Sequence, residues 1–110
     1  MATNGIISIV KDGKVQFKCV AGCNGMEAEK TAAALKKLSS PTIDQVYKVC
    51  LDNDFGCKDC TVVQSETEHR CHPDYQEEEL SPLYKEKFNE PGFNPRWERG
   101  IAAHTEIINL

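Results

Sequence analysis

Asp12-Gly13 stands between two β-branched runs, residues 6–10 and 15–20, and this arrangement constrains the start of the chain more than any other feature. Asp-Gly between such runs is among the stronger short-range hairpin signals, because a type I′ turn needs positive φ at both central residues. With Asp12 and Gly13 as the turn, Val10 pairs with Val15, Ser8 with Phe17 and Ile6 with Cys19. Those six share one face, expected to be the core side. Lys14, Gln16 and Lys18 then fall on the other face, beside Ile7 and Ile9.

The hairpin needs something to cover it, and two helical patterns follow. After a turn at 21–25, Ala28, Ala32, Leu35 and Leu38 recur at helical spacing within 26–38, and Ser39-Ser40-Pro41 ends the run. Thr42 with Gln45 three residues on fits a capping box opening a second helix, along which Ile43, Val46, Tyr47 and Cys50 form one stripe. The turn at 53–56 ends that helix and delivers the chain to Cys57. Residues 61–64 read as a short strand, and 68–72 as its return, with Cys60 and Cys71 near the base of this second hairpin.

Chemistry concentrates in the stretch 50–72, CLDNDFGCKDCTVVQSETEHRCH, which holds four of the six cysteines and two of the three histidines. Two cysteines two residues apart, as at Cys57 and Cys60, direct both sulfurs at one ion, which is why zinc and iron–sulfur sites use this spacing. A tetrahedral site needs two further ligands from elsewhere. Cys71 supplies one, and His69 or His72 beside it the other, for a shell of three thiolates and an imidazole. Cys50 in place of the histidine gives four thiolates, suited to zinc or to an iron–sulfur cluster. Cys19 reads as a small buried hydrophobe, unless it meets Cys23 and Cys50 as a second site or a set of disulfide partners. His104 stands apart in the tail. Asp52, Asp54 and Asp59 lack the terminal glutamate of a calcium loop and read as turn and capping residues. A cysteine–histidine enzyme would need a lowered thiol pKa and an orienting group, and the sequence signals neither.

Composition narrows the class. A chain of 110 residues fits one domain. Stability in such a domain is roughly 5–15 kcal/mol, so a structural zinc site with an apparent ~10–16 kcal/mol would weigh heavily. The net charge is −4 and the only compact charge block, Glu77-Glu78-Glu79, is acidic, which disfavours nucleic acid. No run approaches the ~20 apolar residues of a spanning helix, and the first residues carry no export signal, so no membrane role and a cytoplasmic location are expected. In a reducing compartment, six cysteines favour metal or redox chemistry over structural disulfides.

From Pro73 onward the chain is charged and proline-punctuated, yet studded with Leu83, Tyr84, Phe88, Phe93 and Trp97. A helix is expected within 80–88, and irregular chain across 89–95. The segment reads either as a tail that wraps back onto the domain's own core, or as an arm that anchors on another subunit through its aromatics, Arg96 and Arg99. The arm is the favoured reading.

The expected architecture is α+β: an N-terminal β-hairpin with two packed helices and a cysteine-rich knuckle at 50–72 within a compact domain 1–72, then an extended C-terminal arm 73–110. The expected function is a non-catalytic accessory or interaction subunit whose knuckle binds structural zinc. Its ligands are drawn from Cys57, Cys60, Cys71, Cys50, His69 and His72, and its protein partner or second copy engages 73–110. The alternatives are a redox protein, with an iron–sulfur cluster or a dithiol–disulfide switch at Cys57 and Cys60, and an exported, disulfide-stapled binding module.

Overall fold

The computed structural model describes residues 3–56, 60–64, 69–71, 87–90 and 103–110. The hairpin forms as its turn dictates. Strand β1 (Gly5–Lys11) runs into Asp12 and Gly13, both at positive φ (54° and 79°), and returns as β2 (Lys14–Ala21). Val10 pairs with Val15 as expected, but the ladder then shifts by one residue: Ile9 lies opposite Phe17, Ser8 opposite Lys18 and Ile7 opposite Cys19. Gln16 is the extra residue, a β-bulge near the turn. Because side chains alternate with period two, one inserted residue exchanges the faces of everything beyond it. Ile7 and Ile9, rather than Ile6 and Ser8, therefore join Phe17 and Cys19 in the main core.

A 3-10 turn (Gly25–Glu27) leads into α1 (Ala28–Leu35), whose last turn tightens through bonds from Lys37 N to Ala34 O and Leu38 N to Leu35 O. The buried stripe of α1 is Ala28, Thr31, Ala32 and Leu35, small enough for close approach to the sheet. Gly25 makes the entry possible: its N–H donates to Thr3 O at 2.7 Å, and a Cβ there would come within 2.3 Å of the Asn4 backbone.

Helix α2 (Ile43–Asp52) opens with the expected capping box. Gln45 N donates to Thr42 Oγ1 at 3.2 Å and Thr42 N donates to Gln45 Oε1 at 2.9 Å. It closes in a Schellman arrangement, with Asp54 left-handed, Asp54 N donating to Leu51 O and Phe55 N to Cys50 O. That reversal buries Phe55 completely beneath the sheet.

Strand β3 (Cys60–Val63) pairs with β2, and β4 (His69–Cys71) with β3, both antiparallel, confirming the second hairpin. Strand β5 (His104–Asn109) lies parallel to β1. The result is a five-stranded mixed sheet in the order β4-β3-β2-β1-β5, with both helices on one face: an α+β fold. Ile108 of β5 completes the core beside Ile9. Of the two readings of 73–110, the described pieces follow the tail that wraps back: β5 belongs to the sheet, and the turn at 87–90 packs on the face away from the helices. Leu83, Tyr84, Phe93 and Trp97, and the expected helix before Lys87, lie outside the described residues. Among the described residues no helix is long and apolar enough to cross a membrane.

The second face of the sheet is also buried along its middle, on β1, β2 and β3. Ile6 and Val20 pack together there, with Ser8, Lys18, Thr61 and Val63 alongside. Lys18, at the middle of the central strand, has no exposed surface.

Candidate cysteine centre

Three elements converge on one group of thiols. Cys19 projects from β2 on the helix side of the sheet, Cys60 from the first position of β3, and Cys50 from the last turn of α2. All three are buried in one core cluster, with the Cys19 and Cys60 thiols near enough to Cys50 to act on its protonation. The Cys19 side chain favours the protonated form of Cys50 and holds its pKa well above the ordinary thiol value. The Cys60 side chain works the other way, while burial and the charge of Cys19 add to the rise. Cys50 is a poor nucleophile as it stands.

A fourth cysteine borders the group. Cys23 is half-buried and donates from Sγ to Gly56 O at 3.3 Å, the carbonyl that immediately precedes Cys57 in the chain. Gly56 is at φ 92°, and a Cβ on it would come within 2.8 Å of Cys60 Cβ. The positive φ and this close approach both call for glycine. The turn at 53–56 thus ties Cys23 to Cys60 while presenting the chain at Cys57.

Of the expected ligands, the structure brings Cys50 and Cys60 together and adds Cys19, which the sequence assigned to the core. Alternation in β2 and the position of Cys50 on its helix stripe were the available signals, and both residues are core members. In β4, Cys71 lies opposite Thr61 and His69 opposite Val63, so Cys71 is one position out of step with Cys60. Cys57 and His72 lie outside the described residues. The other set raised for Cys19, with Cys23 and Cys50, is met in part: Cys19 touches Cys50, and Cys23 bonds to Gly56. None of Cys19, Cys23, Cys50 and Cys60 is joined in a disulfide. Among the described residues, no group of three or more histidine, cysteine, aspartate or glutamate side chains is arranged to hold a metal ion. A metal shell would therefore have to draw on Cys57, Cys71 or a histidine beside it.

Comparison with protein-family models, with curated proteins and with solved structures finds no match for this chain.

Proposed function

We propose that this protein is a small, non-catalytic accessory or interaction subunit whose cysteine-rich stretch binds a structural zinc ion. The observation that carries the reading is the contact between Cys50 and Cys60, which joins the end of α2 to the start of β3 at the point where the chain passes Cys57. It favours Cys50 over His69 or His72 as the ligand that completes a shell with Cys57, Cys60 and Cys71, a shell that requires Cys71 to leave its register opposite Thr61 at the end of β4. Four thiolates suit a closed tetrahedral zinc site, which contributes folding energy and offers no open position for substrate. The buried, protonated state of Cys50 argues against a thiol nucleophile in the apo protein. The thiol form of every described cysteine side chain fits a reducing, cytoplasmic setting. This reading puts the interaction surface in 73–110, and the exposed Ile107 and Leu110, on and beside β5, support it.

Elemental analysis combined with a thiol count on the native protein tests the reading. Zinc near one per chain with four protected thiols supports it. Iron with a brown colour after anaerobic purification replaces zinc by an iron–sulfur cluster. Six metal-free thiols that all react once the protein is unfolded end the metal reading. A mass lower by two protons per cysteine pair replaces it with disulfides.

A further inference from the structure

Lys18 sits at the middle of β2, the central strand, on the face turned away from both helices, and none of it reaches solvent. Its ammonium donates to Glu90 O at 2.8 Å and to Lys87 O at 3.4 Å, and lies 5.6 Å from the centre of the Phe88 ring. These partners form one turn, closed by Glu90 N donating to Lys87 O at 3.0 Å. Carbonyls and a ring face attract a cation, but they return less than an ammonium loses on leaving water. Across the sheet the register sets Ser8 of β1 and Val63 of β3 opposite Lys18, with Val20 next along the same face; none of these titrates near neutrality. Among the described residues, the charged groups facing it are Lys87 and Glu90, which approach each other at 3.7 Å.

We propose that the 87–90 turn is a proton-linked strap over the second face of the sheet: lifting it admits water to Lys18 and takes up a proton, so the strap closes more firmly as the solution becomes more alkaline. Burial lowers the Lys18 pKa from 10.5 to about 8, with the Glu90 charge partly offsetting the fall. A lifted strap restores the ordinary value. Between these two pKa values the open form holds a proton, drawn from solvent, that the closed form has released. The opening constant then falls by about tenfold per pH unit across that window. Below it Lys18 is charged in both forms, and opening is level with pH.

The test is amide exchange at Glu90, whose N–H belongs to the turn, corrected for the intrinsic rate and followed with millisecond labelling from pH 6 to 9.5. The wild-type protein should show level protection up to about pH 8 and a rise above it that approaches tenfold per unit. Lys18→Met, nearly isosteric and uncharged, should show stronger protection at pH 7 and no rise. An independent reading on the unaltered protein is the NMR titration of the Lys18 side chain, expected near pH 8. Level wild-type protection, a rise that survives in Lys18→Met, or a Lys18 titration near 10.5 would each overturn the proposal.

Discussion

The Cys50 thiol on α2 lies beside the Cys60 thiol on β3 in the core, and this contact fastens the second helix to the sheet at the place where the chain leaves the helical layer. Together with Cys19 the pair forms a buried patch of sulfur, while Cys23 stays at its margin, half-exposed. Reactivity should follow that order. A water-soluble alkylating reagent at neutral pH should modify Cys23 ahead of Cys19, Cys50 and Cys60, which should react only at the rate of unfolding. Peptide mapping of partly labelled protein gives the order. Early labelling of Cys50 would contradict the burial and raised pKa described above.

If zinc occupies the centre, a strong chelator should lower the thermal midpoint of the wild-type protein and release about one equivalent of metal. Cys57→Ser should show the lower midpoint before any chelator is added. Cys23→Ser should keep its metal, because Cys23 bonds to a backbone carbonyl. Calorimetry with and without chelator separates these cases. An unchanged midpoint on chelation, in protein that had contained zinc, would show that the ion is not structural.

The ends of the helices offer two stability tests. Thr42→Ala removes one half of the capping box and should cost about 0.5–2 kcal/mol. Gly25→Ala should cost more, about 1–3 kcal/mol or beyond, because the added carbon meets the Asn4 backbone rather than a side chain that can turn aside. Urea denaturation of both variants ranks them, and a Gly25→Ala protein as stable as wild type would mean that Asn4 can move at little cost.

Lys18 gives stability a pH dependence of defined sign. Its pKa is lower in the fold than in the unfolded chain, so between about 8 and 10.5 the unfolded chain binds more protons. Stability from this group is complete above the unfolded value and is lost as pH falls through the folded value. Lys18→Met should therefore be more stable than wild type at pH 7, by on the order of 2 kcal/mol, with the gap narrowing at alkaline pH. Denaturation midpoints at pH 7 and pH 9.5 check both the sign and the narrowing.

Local signals in the sequence were strong where one or two residues decide the backbone. Asp12-Gly13 specified its turn, Thr42 and Gln45 specified a helix start, and the turn at 53–56 specified a stop. The faces of the first hairpin were not legible, because Gln16 carries no mark that distinguishes a bulged residue from a paired one, and the bulge inverts the alternation beyond it. Lys18 lies on the face expected for it, and its burial was hidden for a separate reason. In KVQFKCVA it reads as the outward residue of an amphipathic strand, and only the turn from residues 87–90 packed over it makes it interior. Within the cysteine stretch, the Cys50 stripe was correctly read as core-facing. Its meeting with Cys60 depends on how α2 lies across β2 and β3, which spacing along the chain does not encode.

The parallel pairing of β1 with β5 sets a timetable for synthesis. Strands β1 and β2 and both helices leave the ribosome early, yet one border of the sheet is closed by a partner that begins only at His104. Until residues 104–109 emerge, the nascent domain carries an open flank along β1 and a core still waiting for Ile108. Contacts so distant in sequence form slowly, and an unpaired border of this kind invites association with other nascent chains in the interval.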